Sequence, residues 1–305
     1  MNLDLKSELD NLFYKYSKSN GLTGEIADRG YVYSETENKK VLFVGINPSF
    51  LENDKENKDY SYNANSAVND YAKHYKPFAD LAKDADCEND WTYIDLLYLR
   101  ETDQKKIDSL LKEPDGINFI IGQLNITFQL IEHLNPQIIV VCNSVAQKFM
   151  GANKTPNGDS FENIWLGYEF DFDEKFGVDV ITRLNIESIK KGVKHTKLMG
   201  VPVLFTSTLT YKNSSDKKRI SWQIRNILKY HNIFMGELFN ESTNKRNILV
   251  CNQTKQLIDM YLRKKEERNN AVKEEKYADA AESRIEEIES LDKILEFLLV
   301  VLDKN

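Results

Sequence analysis

The sequence predicts an α/β protein: a central, mostly parallel sheet inside a three-layer sandwich, followed by a C-terminal helical hairpin. Two observations carry this. Short, continuous, β-branched apolar runs alternate with stretches of helical periodicity, the pattern of βα units whose strands are covered on both faces. Beyond about residue 245 the composition changes: from Gln253 onward there is no proline or glycine, and charged and apolar residues alternate at helical spacing. The expected division is an α/β domain over 1–245 and a helical hairpin over 246–305.

The elements follow in order. ELDNLFYKYSKS (8–19) is an amphipathic helix, and Val41 to Val44 is the first buried strand, running straight into Gly45-Ile46-Asn47-Pro48. The polar segment ENDKENKDYSYNANSAVND (52–70) reads as a long loop. NFIIGQLNITFQLIEHL (118–134) is a helix that feeds the strand Ile138 to Val141. Val201 to Phe205 is the last strand and SWQIRNILKYHNIF (221–234) the last helix of the domain. In the hairpin, Ala281, Ile285, Ile288, Leu291, Leu295, Leu298 and Leu302 form a long apolar stripe. Leu257, Ile258, Tyr261, Leu262 and Val272 form a shorter one, so apolar surface is left to dock on something else.

Composition narrows the function. At 305 residues and 41% hydrophobic content, the chain can bury a large core. It has no apolar run of about 18 residues, and its N-terminus is polar rather than signal-like, so a cytoplasmic location without membrane contact is expected. Cys87, Cys142 and Cys251 lie far apart, and His74, His133, His195 and His231 are equally dispersed; no metal and no cofactor is expected. The formal charge is −7, but Ile186 to Arg225 carries +7 and the remainder −14. That basic stretch, with Tyr211 and Trp222 interleaved, suits a surface that tracks phosphates.

VLFVGINPSF (41–50) is the chemical motif. Glycine lets the backbone approach a ligand, Asn47 supplies both a donor and an acceptor, and Pro48 stiffens the turn. It resembles the first motif of the uracil-DNA glycosylase superfamily, especially the mismatch-specific and thymine-DNA glycosylase branch, whose strand ends in Gly-Ile-Asn-Pro-Gly. YAKHYKPF (71–78), LNPQIIVVCNSVAQKFMG (134–151) and VPVLFTSTLT (201–210) resemble that family's later segments in the same order. The resemblance implies a DNA glycosylase in which Asn47 positions the attacking water and Gly45, Ile46 and Pro48 line the pocket. Tyr71 would stack on the extruded base, with Phe78 in the core, and Asn143 would hydrogen-bond the pyrimidine edge.

Ser207, Thr208 and Leu209 correspond to the loop that enters the DNA, Leu209 as the wedge, and Tyr211, Lys212, Lys217, Lys218 and Arg219 extend the DNA-binding face. Two positions depart from the family. Ser49 replaces the tyrosine that the uracil-strict branch uses to wall off the 5-position, which implies a roomy pocket for uracil, 5-substituted pyrimidines or the modified bases of phage DNA. Phe205 and Thr206 replace a His-Pro or Asn-Pro pair, which leaves open a catalytically silent module that binds DNA or protein. NAVKEEKYADAAESRIEEIESL (270–291) resembles the UVR hairpin of nucleotide-excision-repair proteins through Tyr277, Ala280, Ala281 and Arg284. That resemblance, with a net charge of −3 over 254–305, implies a protein partner or self-association for the hairpin.

Overall fold

A computed structural model describes residues 4–50, 58–152, 166–174, 176–185 and 196–231, together with parts of 260–289. The chain divides into two compact units, Met1–Lys229 and Tyr230–Asn305. The first unit is α/β. It opens with α1 (Leu5–Tyr16), which Asp4 caps by accepting from Ser7 N, and which buries Leu9, Phe13 and Tyr16 along one face. Next come α2 (Gly21–Asp28), β1 (Val32–Glu35) and β2 (Val41–Gly45). The following elements are β3 (Tyr60–Asn63), α3 (Ala64–Asp70), α4 (Ala72–Asp84) and β4 (Trp91–Asp95). Then α5 (Gln104–Leu110), α6 (Pro114–Leu134), β5 (Ile138–Val141) and α7 (Ser144–Met150) complete the middle of the unit. It closes with β6 (Tyr168–Asp173), β7 (Val178–Leu184), β8 (Pro202–Phe205), a 3-10 turn (Leu209–Tyr211) and α8 (Ser214–His231).

Six strands form one mixed sheet in the order β4-β2-β5-β8-β7-β6. The first four are parallel, and β6 and β7 form an antiparallel hairpin that pairs with β8, so the expectation of a mostly parallel sheet holds only for that four-stranded block. A smaller parallel pair joins β1 and β3. The expected loop over 52–70 is a correction: residues 58 and 59 lead into β3 and α3, which Asn63 caps by accepting from Ser66 N. The Tyr-Ser-Tyr-Asn strand is only partly covered and carries polar alternation, so it gave no apolar run to read.

The side chains of β2 and β5 point alternately into two different clusters, which is why both strands are continuously apolar. Leu42, Val44, Ile139 and Val141 join Leu9, Phe13, Ile26, Phe119 and Ile120 from α1, α2 and α6. Val41, Phe43, Ile138 and Val140 join Phe78 and Leu81 of α4 and Ile220, Ile224 and Ile227 of α8. A buried leucine or phenylalanine contributes about 1.5–3 kcal/mol relative to exposure, so packing on both faces stabilises these strands.

In the second unit, residues 260–271 are helical. Lys264 Nζ lies 2.6 Å from Glu286 Oε2 across two helical stretches, and Leu262 and Ile285 are exposed. Of the stripe and motif residues, Leu257, Ile258, Val272, Tyr277, Ala280, Ala281, Ile288, Leu291, Leu295, Leu298 and Leu302 lie outside the described residues. Among those described, no helix is long and apolar enough to cross a membrane.

Candidate active site at the carboxyl ends of the parallel strands

The chain places β2 first, moves outward to β4, and then returns past β2 to β5. Such a reversal opens a crevice at the carboxyl ends of the two strands that flank it, here β2 and β5. The Gly45-Ile46-Asn47-Pro48 motif leaves β2 at that end, and Asn143 leaves β5 beside it, with Cys142 N donating to Val44 O. The turn after β8 reaches the same edge, because Thr206 N donates to Val141 O.

The exit of β2 is stitched to the exit of β4. Leu96 N donates to Gly45 O, Leu97 N to Ile46 O and Glu101 N to Pro48 O. Asn47 adds a side-chain clasp: its Nδ2 donates to Glu101 O at 2.6 Å and Pro48 O at 2.9 Å, with Leu99 O at 3.5 Å. Both amide protons are therefore committed. Among the described residues the Oδ1 of Asn47 makes no hydrogen bond, which leaves it as an acceptor held in place by the backbone it grips.

Beyond the motif the chain is pinned by charge. Phe50 exchanges hydrogen bonds with Thr102 Oγ1, and the guanidinium groups of Arg29 and Arg100 lie 4.6 and 5.3 Å from its ring centroid. Arg29 Nη1 reaches Glu101 Oε2 at 2.6 Å, and its other nitrogen pairs with Glu25. Burial opposes charge on Glu101, but the Asp103 N–H, Arg29 and then Lys106 overcome it and hold the carboxyl below its ordinary range. Ser49 is exposed.

The remaining expected residues divide. Asn143 is 8% exposed, and its Oδ1 accepts from Val145 N and Ala146 N, capping α7; only its Nδ2 is left to turn toward a ligand. Tyr71 is 67% exposed at the junction of α3 and α4, whereas Tyr75, one helical turn on, is buried against Tyr62 and Tyr93. Phe78 is in the core, as read from the sequence. Leu209 requires a correction: it is 1% exposed, packed with Ile220 and Ile224, and so anchors the 3-10 turn instead of projecting as a wedge. The residue that projects from that turn is Tyr211, at 86% exposure. Ser207, Lys218 and Arg219 are exposed, and Thr208, Lys212 and Lys217 are half-buried. Lys190, Lys191 and Lys194 of the basic stretch lie outside the described residues.

A second group of polar residues at this site escaped sequence reasoning. Asp95 ends β4 directly opposite Gly45 and accepts a 2.7 Å hydrogen bond from Tyr93 Oη. His74 Nε2 lies 3.4 Å from the same hydroxyl. A Cβ on Gly45 would come within 2.0 Å of Tyr93 Oη and 2.2 Å of Asp95 Oδ1, so the glycine of the motif is required by these two groups. Burial raises the Asp95 carboxyl to about 7, against the opposing pull of the Tyr93 hydrogen bond. The available signal was a lone acid in a short run of aromatic and β-branched residues, Trp-Thr-Tyr-Ile-Asp-Leu-Leu.

Among the described residues no group of three or more His, Cys, Asp or Glu side chains stands ready to hold a metal. No protein-family model matches the sequence, and no curated protein matches it either.

Proposed function

We propose that this chain is a DNA glycosylase of the uracil-DNA glycosylase superfamily, hydrolysing the N-glycosidic bond of a flipped uracil or modified pyrimidine. The observation that carries the reading is Asn47: it leaves β2 at the carboxyl ends of the parallel strands with its amide protons clamped on backbone carbonyls and Oδ1 left to accept from a water. An amide is too weak a base to take the proton outright. Its contribution is orientation, holding the water for attack on an oxocarbenium-like sugar as the base departs. The two buried faces of β2 and β5 support the three-layer sandwich that this superfamily implies.

DNA would lie across the exposed side chains at the start of α8 and the turn before it, where Ser207, Tyr211, Lys218, Arg219 and Trp222 alternate ring and charge. With Leu209 buried, the exposed Tyr211 would fill the gap left by a flipped base. That same burial favours a second reading, a catalytically silent DNA-binding module of this fold. The hairpin would recruit a protein partner or a second copy through its exposed Leu262 and Ile285.

The test is release of free base, read as alkali-labile sites in single- and double-stranded oligonucleotides. The substrates carry uracil, thymine opposite guanine, or 5-hydroxymethylcytosine. Asn47→Ala is expected to slow release about 100-fold, the scale of losing one positioned reactant. No release from any substrate by the unaltered chain refutes the enzyme and leaves the binding module; undiminished release by Asn47→Ala refutes the role of the amide.

A further inference from the structure

We propose that Asp95, Tyr93 and His74 form a proton relay that delivers a proton from solvent to the departing base, with Asp95 as the donor at the reaction centre. The inference rests on the glycosylase reading and adds to it the acid that Asn47 cannot provide. The geometry is continuous: Asp95 Oδ1, Tyr93 Oη and His74 Nε2 are linked at 2.7 and 3.4 Å. The inner end overlies Gly45, in space that any side chain there would occupy, two residues before Asn47.

The outer end is open. His74 is solvent-accessible on its rim while its ring packs on Tyr75, Phe78 and Tyr93. Desolvation lowers its affinity for a second proton, so at neutral pH it is a neutral imidazole able to give a proton from one nitrogen and accept at the other.

The groups facing Asp95 are neutral. They are Tyr62 from β3, His74 and Tyr75 from α4, Tyr93 on its own strand and Tyr98 just beyond it. No lysine or arginine among the described residues contributes to its state. The carboxyl group is thus poised to hold its proton near neutrality and release it to a stronger base.

The step balances. The C1′–N bond breaks with its electron pair leaving on the base, and the oxygen of the water bound at Asn47 joins C1′. Asp95 gives its proton to the base, while the water's proton passes to solvent. Asp95 is reprotonated by Tyr93 as Tyr93 takes the Nε2 proton of His74, and His74 regains one from solvent at Nδ1.

Single-turnover base release by the full chain should be flat below about pH 7 and fall tenfold per pH unit above it. Asp95→Asn should lose that limb and slow the plateau at least tenfold. Tyr93→Phe should move the limb to higher pH, because the bond that favours the carboxylate is gone. An unchanged limb in Asp95→Asn overturns the relay. Titration of the Asp95 carboxyl by ¹³C NMR separates this from failure of the glycosylase reading. A midpoint near 7 that rises in Tyr93→Phe supports the relay, and one near the ordinary value of about 4 overturns it even if base is released. A chain that shows the midpoint near 7 but releases no base refutes the glycosylase reading, and with it the delivery step.

Discussion

Asp95 and Glu101 leave the same edge of the sheet a short distance apart in the chain, and at 8% and 6% exposure they are equally removed from water. Their affinities for a proton nevertheless move in opposite directions. Desolvation acts on both, so burial alone does not determine the charge of either. Glu101 meets Arg29 at 2.6 Å, Lys106 at 3.4 Å and the Asp103 N–H, and stays ionised. Asp95 meets a cage of tyrosines and one neutral imidazole, and keeps its proton up to about 7. One carboxylate is a fixture that ties the motif's exit to α2; the other is free to change state. A site needs both, because a group can exchange protons usefully only where its surroundings do not move.

The largest effect should come from breaking the fixture. Arg29→Met retains much of the stem over Phe50 but leaves Glu101 buried with only the Asp103 N–H and the more distant Lys106 as partners. Removing one partner of a buried pair costs about 3–5 kcal/mol, because the remaining charge is uncompensated. Urea denaturation at pH 7 should show that loss. A change under about 1 kcal/mol would mean that Glu101 had simply taken up a proton, and that the two carboxyl groups are alike after all.

Asp95→Asn should act in the opposite direction and only at higher pH. A carboxyl whose affinity rises on folding from the usual 3.8 to about 7 binds more protons in the native state than in the unfolded state across that interval. Stability therefore falls as pH rises through the interval and levels off above it. The asparagine variant lacks that penalty. It should gain on the wild type between pH 4 and 8, by at most about 4 kcal/mol for some three pKa units, less whatever the altered bond to Tyr93 costs. A constant difference across the range would show that Asp95 does not titrate between native and unfolded states.

This contrast also separates what could be read in the sequence from what could not. Val41 to Val44 and Ile138 to Val141 were legible because a strand buried on both faces is apolar at every position. Trp91–Asp95 lies in the same sheet but was hidden by its threonine, tyrosine and aspartate, the residues that give the site its chemistry. β1, β3, β6 and β7 are short or half-exposed and lack a continuous apolar run. Asn47 was legible because a motif carried it; Asp95 and His74 were not, because their partnership passes through Tyr93 and exists only once α4 packs on β4. The burial of Leu209 was equally hidden, since it depends on the turn packing against α4, far away in the chain.

The smallest change tests how much of the fixture is one residue. Lys106 approaches Glu101 at 3.4 Å, but its side chain is 42% exposed, so water and salt screen the pair and lysine loses freedom in holding it. Lys106→Ala should therefore cost only about 0.5 kcal/mol at low ionic strength, and less when salt is added. The pH dependence should follow the same ranking. A carboxyl held below its ordinary range stabilises the fold above its unfolded-state value, and that contribution is lost as pH falls through the lowered native value. In Lys106→Ala this acid-side loss should remain, because the Asp103 N–H and Arg29 still hold the charge; in Arg29→Met it should shrink clearly, to the part the Asp103 N–H and Lys106 still supply. If the two variants behave alike, the charge on Glu101 comes from the summed field of its surroundings rather than from the Arg29 contact, and the rigidity ascribed to that contact has to be sought in the Asn47 clasp instead.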